Sequence, residues 1–389
     1  MIKVVHCITG LTGDGAQGML LRLVGHLRAH AVESVVVSLQ AREPMVSSFE
    51  QLGVRVHCLG ITSMWRGAKG LRDLAHLLSE ESPDILQGWM YHGNAALAFA
   101  RTLVSRPAPL LWNIRRGLDD LKERAWTTRV VIALNRGLSR CPHTIMYCTD
   151  RSMEQHQAMG FSRYNGMVLG NGFDLERFQP RRSARSLLAE RLGLSDDTLI
   201  IGHIGRYDVA KGHPYLLRAF AQISSEYPGA RLICAGRGVD QSNSALVGLV
   251  RQQGLESRTI LMGESLQVED IYPAFDILCS SSIAEGFPNA VAEAMASGVP
   301  CVVTDTGASR ALVEGVGVVV ESRSSGALAS GLHTLCSMET GERRRLGMLA
   351  RERIQTRYSI RNIAGSYAGL YERLVMGKSK SSLGPSGPR

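Results

Sequence analysis

Residues 198–220 read "TLIIGHIGRYDVAKGHPYLLRAF". An isoleucine-rich apolar run enters a Gly205-Arg206 corner, a polar loop follows, and Lys211-Gly212 opens a helical pattern. Strand, glycine corner and helix make up the unit from which parallel α/β sheets are assembled, and here it recurs. Downstream, "ARLICAG", "RTILMGE", "FDILCSS", "PCVVTD" and "GVVVE" continue one series of strands. Upstream, "IKVVHCIT", "SVVVSL", "VRVHCLG", "DILQGWM", "LLWNIRR", "HTIMYC" and "NGMVLGNG" form an earlier series, with helical patterns such as "AQGMLLRLVGHLRAH" between them. The alternation predicts an α/β fold of two Rossmann-like, doubly wound parallel-sheet domains. Asn171-Gly172 and Pro180 punctuate the join. The expected division is therefore 1–175, 176–375 and a disordered Ser/Gly/Pro/Lys-rich tail at 376–389, with the last helix able to return to the N-terminal domain. Two such sheets imply a cleft lined by the carboxyl ends of strands, where ligands of open α/β sheets bind, with Asn171 near the hinge.

Composition narrows the class. A chain of 389 residues, 44% hydrophobic and 20% charged, is that of a globular protein with room for two cores. No run approaches the roughly 20 apolar residues of a membrane helix. "MIKVVHCITG" has one lysine and a short apolar run broken by His6, unlike a signal peptide, so a cytoplasmic location is expected. The eight cysteines include no CxxC and read as reduced thiols. Net charge is +9, and nine Lys/Arg against three acids fall between Arg101 and Arg140. The plain interpretation of that stretch is a solvated helical face. The functional one is a surface for phosphates or for an anionic membrane leaflet. Without interleaved aromatics or a zinc-finger pattern, nucleic acid is not an expected partner.

Three segments carry chemistry. "GDGAQG" (Gly13, Gly15, Gly18) matches GxGxxG between a strand and a helix. A dinucleotide site also expects an acid at the end of the second strand, and "SVVVSLQ" ends in Gln40, with Glu33 placed before it. A backbone that phosphate or substrate can approach is the better expectation. Arg206 and Lys211, five apart at a strand's carboxyl end, can converge on one anion, the arginine as a fork and the lysine as a point charge. In "SSIAEGFPNAVAEAMASGVP", residues 281–300, Pro288 suits a helix start, Gly298 its cap and Pro300 its stop. Glu285 then lies before the helix and Glu293 about one turn inside it. Gly286, Phe287, Pro288 and Asn289 turn the chain between them. The amides and dipole of that helix end attract a diphosphate, and the two carboxylates suit sugar and ribose hydroxyls. There is no Asp-x-Asp and no cluster of metal ligands in sequence, so neither metal nor cofactor is expected, only a nucleoside-diphosphate sugar as substrate.

"GRYDVAKG", then "EGFPNAVAE", then "EAMASGVPCVVTDTGA" resemble the family-4 retaining glycosyltransferases, which have the GT-B fold. The family's signature is a pair of glutamates separated by seven residues with an arginine and a lysine upstream. The likeness runs from "GDGAQG" to "RYSIRNIAGSYAGLYERL" and is strongest between residues 200 and 315. Where the family often has Gly-Gly-Ala-Glu, this chain has Gly13-Asp14-Gly15-Ala16-Gln17. The resemblance implies that Arg206 and Lys211 hold the diphosphate and stabilise the leaving nucleotide. It gives Glu285 the donor sugar, Glu293 the ribose and Gly15 the phosphates. His92, in "DILQGWMYHGN", matches a histidine facing the donor sugar. "WNIRR" looks like a segment of members that build surface polysaccharide, and it offers Arg115 or Arg116 to an acceptor phosphate. The implied activity is retaining, metal-independent hexosyl or N-acetylhexosaminyl transfer, from a UDP-sugar before GDP-mannose. The implied acceptor is an oligosaccharide or lipid-diphosphate-linked glycan, for surface polysaccharide, O-antigen or exopolysaccharide, at the inner face of a membrane. Competing readings are a nucleotide-sugar epimerase or phosphorylase on the same fold, a non-enzymatic sugar-nucleotide binder and, most distant, an NAD-dependent oxidoreductase. A double-displacement glycosidase fits poorly, because Glu293 lies behind Glu285 rather than across a sugar from it.

Overall fold

The computed structural model describes residues 1–382 apart from 14, 62–63, 120, 122–125, 196 and 265–266, and omits the side chains of 64–66 and 378–382. Asp14 of the glycine loop, Asp120, Lys122, Glu123 and Arg124 of the basic stretch, Asp196, and residues 383–389 of the expected tail lie outside the described residues. The chain forms two units, Met1–Gly172 with the segment from Ile360 onward, and Phe173–Ser359.

The first unit alternates as the sequence predicts. It runs β1 Ile2–Ile8, α1 Gly15–Leu27, β2 Val32–Ser38, α2 Val46–Gln51, β3 Arg55–Cys58, α3 Met64–Glu81, β4 Ile85–Trp89, α4 Met90–Ala100, β5 Leu110–Ile114, α5 Trp126–Leu138, β6 Thr144–Tyr147, α6 Asp150–Ala158 and β7 Gly166–Val168. Its seven parallel strands lie in the order β3-β2-β1-β4-β5-β6-β7. The pleat sends alternate residues of β1 to opposite faces. Val4 and Ile8 join Leu20, Leu23 and Leu27 of α1 on one side, while Val5 and Cys7 join Leu74 and Leu78 of α3 and Leu97 of α4 on the other. Both faces are covered at the centre of the sheet, which is why its central strands are mostly apolar, whereas the edge strand β3 reads Arg-Val-His-Cys.

The second unit runs α7 Ala184–Leu192, β8 Leu199–Ile204, α8 His213–Ile223, β9 Ala230–Ala235, α9 Ser244–Gln252, β10 Thr259–Leu261, α10 Val268–Ile271, β11 Ile277–Ser280, α11 Asn289–Ala296, β12 Cys301–Thr304, α12 Ser309–Val313, β13 Val318–Val320, α13 Ser325–Cys336 and α14 Thr340–Arg357. Its order is β10-β9-β8-β11-β12-β13, all parallel. Each sheet therefore reverses its direction of winding once, between β1 and β4 in the first unit and between β8 and β11 in the second. No helix among the described residues is long and apolar enough to cross a membrane.

The last helix, α15 Ile360–Ser382, returns to the first unit, the course the sequence allowed for it, and so moves the boundary expected at 375 back to Ser359. Ile360, Ile363, Ala364, Tyr367, Ala368, Leu370 and Tyr371 recur at helical spacing and are buried with α1 and β1. The Tyr367 hydroxyl accepts from Asn113 Nδ2 at 2.8 Å, and the Tyr371 hydroxyl donates to Gln87. The helix also continues to Ser382, past the start of the expected tail at residue 376, since no proline interrupts it before Pro385.

Four histidines are buried as neutral rings. Burial pulls His6 and His213 down to about 3 and His156 and His203 to about 4. With folded values below the ordinary 6.5, the stability they confer is full above pH 6.5 and falls as pH drops toward 4. Each contributes a slope of about 1.4 kcal/mol per pH unit in that window. Melting temperature should hold between pH 8 and 7 and fall steeply below 6. A flat profile down to pH 5 would contradict it.

Candidate active site

In the second unit the winding reversal leaves the carboxyl ends of β8 and β11 side by side, at the position where open α/β sheets bind ligands. The chain leaving β8 passes Gly205, Arg206 and Tyr207 into a short turn, Val209–Lys211. Asp208 caps that turn by accepting from Ala210 N at 2.8 Å. The methylene stem of Lys211 lies against Gly205, and its Nζ stands 2.5 Å from Glu285 Oε1. The same oxygen accepts from Ser282 Oγ at 2.7 Å, while Glu285 Oε2 takes no hydrogen bond from the described residues. One carboxylate oxygen is thus fixed by a cation and a hydroxyl, and the other is open among the described residues.

The backbone around this pair is locked. Ile283 N donates to Ala210 O at 2.8 Å, and Ser281 Oγ donates to Lys211 O at 2.8 Å, tying the loop after β11 to the turn after β8. Thr304 Oγ1, from the end of β12, donates to Ser282 O at 2.5 Å. Gly212 has φ +67° and a side chain there would overlap Ser281 O; Gly307 has φ +52° and would meet the carbonyls of Glu285 and Gly286. Both positions need a residue without Cβ.

Arg206 stays at the rim, 45% exposed, with Nε 3.2 Å from Asp208 Oδ2. Behind Lys211, His203 Nδ1–H donates to Cys279 O (2.9 Å), and its ring meets His213 edge-on at 4.9 Å. Burial keeps both neutral, so neither adds a positive charge beside Lys211.

Glu293 is half-buried on α11 and accepts from Tyr272 Oη at 3.0 Å. Burial, together with Glu293, raises the Tyr272 phenol well above 10, so it is a donor at all ordinary pH. Phe287 does not face outward. It is buried against Phe173 (5.8 Å, stacked) and Tyr358 (5.6 Å, edge-on), and anchors the Gly286–Pro288 corner. Pro288 sits one position before α11, which begins at Asn289.

The first unit presents its own reversal, at the ends of β1 and β4. Gly15 is exposed at the first position of α1. Glu43 accepts from Leu11 N in the loop after β1. This acid follows Gln40 closely and was not singled out in the sequence; its carboxylate holds the loop backbone. Met90, at φ +61°, turns β4 directly into α4 and puts His92 in the first turn. His92 faces solvent, yet partial burial lowers its imidazole below 6.5.

Arg115 has a different place from the one expected. It is 8% exposed, its guanidinium donates to Leu169 O at 2.5 Å and to the Tyr367 hydroxyl, and it lies 5.7 Å from the Trp89 ring centre. The charge clamps α15 and the segment after β7, and is not presented to an acceptor. Arg116, half-buried, is the member of the pair nearer solvent, and its carbonyl accepts from Ser152 Oγ. Arg115→Met should lower unfolding free energy by about 3 kcal/mol, because it strands buried acceptors. Urea unfolding measures it. Unchanged stability with impaired acceptor use would return Arg115 to the acceptor.

Ser282, Thr304, Tyr272 and Asp208 complete the site and were not picked out from sequence. The serine run closing "DILCSSS" was the one available signal.

Comparison with known proteins places one family match on each unit. "Glycosyl transferase 4-like domain" matches residues 14–172, which include Gly15, His92, Arg115 and Arg116. "Glycosyl transferases group 1" matches residues 198–338, which include Arg206, Lys211, Glu285 and Glu293. EpsF of Bacillus subtilis is 22% identical over 382 residues, 95% of this chain and 96% of its own. The Escherichia coli UDP-Gal:alpha-D-GlcNAc-diphosphoundecaprenol alpha-1,3-galactosyltransferase is 28% identical over 149 residues, 38% of each chain. The crystal structure of Anabaena HepE in complex with UDP and glucose superimposes with a TM-score of 0.82 at 20% identity, over 96% of this chain and 100% of that one. That last likeness is one of fold.

Proposed function

We propose, from the premise that this chain belongs to the group 1, family-4-like glycosyltransferases of GT-B fold, that it transfers a sugar from a nucleoside-diphosphate sugar to a glycan acceptor with retention. The observation that carries the reading is the Lys211–Glu285 pair at the β8/β11 crevice, with one carboxylate oxygen held and one open. Lys211 and Arg206 neutralise the diphosphate without a metal, aided by the first-turn amides of α11. Glu285 orders the donor sugar through its open oxygen, and Glu293, steadied by Tyr272, takes the ribose. His92 and Gly15 serve the donor from the first unit, as the family resemblance implies.

Retention follows a front-side course. The bond from the anomeric carbon to the diphosphate oxygen breaks as the acceptor hydroxyl approaches the same face. The departing phosphate oxygen takes the hydroxyl proton, so the nucleoside diphosphate leaves with it. A uridine donor is the first expectation and GDP-mannose the second. HepE was solved with UDP and glucose, and the Escherichia coli relative is named for a UDP-galactose donor and a diphosphoundecaprenol-linked acceptor. The reading is a hexosyl or N-acetylhexosaminyl transfer onto a lipid-diphosphate or oligosaccharide acceptor in surface-glycan assembly; the Escherichia coli name supports the hexosyl donor and the lipid-diphosphate acceptor.

Thermal unfolding with UDP, GDP, ADP, CMP, their sugars and NAD(P)H tests the donor class. A ligand at 100 times its dissociation constant adds about 2.7 kcal/mol, a shift of a few degrees. A shift with one nucleoside diphosphate and its sugar supports the reading. A shift with NAD(P)H alone overturns it.

A further inference from the structure

We infer that a phosphorylated small molecule binds in an arginine-lined hollow at the amino ends of the second sheet's strands, on the edge opposite Lys211 and Glu285. The hollow, about 890 Å³, forms where Thr198 leads into β8, Asp276 into β11 and Pro300 into β12. That volume suits a ligand of metabolite size. Arg206, Lys211 and Glu285 take no part in its lining.

Charge identifies the ligand. Arg181, Arg182, Arg185, Arg343 and Arg344 line the hollow against two acids, Asp197 and Asp276. Both acids are already engaged. Asp276 Oδ2 accepts from Arg185 Nη1 at 2.8 Å and from Ile200 N at 2.7 Å, and Asp197 accepts from Ser195 Oγ. Arg181 meets Asp270, which lies outside the lining, as do Glu339 and Glu342 at the start of α14. Arg343, 8% exposed, closes the end of α13 by donating through Nη1 to Cys336 O at 3.3 Å, and through Nη2 it donates to Thr340 Oγ1 at 3.2 Å. Its buried Nε has no partner among the described residues. Arg182, just before α7, and Arg344, on α14, are exposed and have no partner among the described residues.

Gathering these cations costs Coulomb repulsion, which a dianionic phosphate relieves. Guanidinium forks match its oxygens in geometry as well as in charge. Pro180, Pro273 and Met348 make the remaining wall apolar, which covers an uncharged body better than a second charge. The ligand class is therefore a phosphate monoester on a neutral body such as a sugar. The inference rests on this edge of the second unit alone and not on the proposed transfer.

Calorimetric titration of the full chain with ribose 5-phosphate, inorganic phosphate and ribose tests it. Ribose 5-phosphate should bind at one site per chain, more tightly than phosphate, and ribose should give no heat. Arg182→Ser/Arg344→Ser should weaken binding about a hundredfold, and Arg344→Ser alone about tenfold, so that one variant serves if the other folds poorly. Both should keep the wild-type melting temperature, because the two side chains are exposed and unpaired. Arg206→Met/Lys211→Met, which removes cations from the donor crevice, should leave the titration unchanged. No heat at millimolar ribose 5-phosphate would overturn the inference. So would binding that survives Arg182→Ser/Arg344→Ser but is lost in Arg206→Met/Lys211→Met, which would put the anion in the donor crevice. Inorganic phosphate binding as tightly as ribose 5-phosphate would overturn the ligand class. If the hollow binds and no nucleotide shifts the melt, the hollow stands and the donor assignment fails.

Discussion

Glu285→Ala is expected to lower turnover by about two to three orders of magnitude, with the fold intact. The carboxylate stands where the winding of the second sheet reverses, and three separate elements fix it. Lys211 comes from the turn after β8, Ser282 from the loop after β11, and Thr304 from β12 holds Ser282 through its carbonyl. That much support for a single oxygen leaves the other free to be aimed, the kind of preorganisation that lowers a barrier rather than merely binding. Alanine also strands Lys211, which is 23% exposed, so part of the loss is the ammonium moving elsewhere. Glu285→Gln separates the two effects. It can still accept from Ser282 but carries no charge, and it should recover little turnover if the charge matters. The measurement is initial rate at saturating donor, with melting temperature alongside. Activity of the alanine variant within threefold of wild type would remove Glu285 from its role.

The second large effect is expected at Lys211. Lys211→Met should lower kcat/KM by about two orders of magnitude and weaken nucleoside-diphosphate binding in parallel, because in the proposed role the lysine would neutralise the leaving group in ground and transition states alike. Arg206→Met should cost less, since Arg206 sits at the rim, 45% exposed, beside Asp208. Because Lys211 and Glu285 touch, the effects should not add. Lys211→Met/Glu285→Gln should be about as slow as the worse single variant. Fully multiplicative losses would mean that the two act separately, and that their 2.5 Å contact has no functional weight.

The sheets were legible because both are parallel, with central strands covered on each face, which writes most strands as short apolar runs between helical patterns. The Lys211 and Glu285 segments were legible for a related reason. Each follows a strand directly, and in this architecture the ends of strands are where ligands bind. What stayed hidden depends on contacts across the fold. Arg115 looks like a free cation in "WNIRR", and only the packing of Tyr367, some 250 residues later, turns it inward. The sequence gives no sign that the Phe287 ring, in the corner before α11, is enclosed by Phe173 and Tyr358. Tyr272 lies 21 residues before Glu293, beyond any helical or strand periodicity that could link them. The last helix carried its apolar face openly in sequence, but the face does not say which core it joins.

Proton NMR of a UDP-sugar, incubated with the enzyme with and without a diphosphate-lipid-linked glycan acceptor, examines the transfer itself. An α-linked donor should be consumed only when acceptor is present, and the new anomeric proton should carry the small coupling of an α-linkage where the sugar's geometry allows the distinction. Donor converted to another sugar nucleotide without acceptor, or a product of inverted configuration, would contradict retaining transfer at the Lys211–Glu285 site.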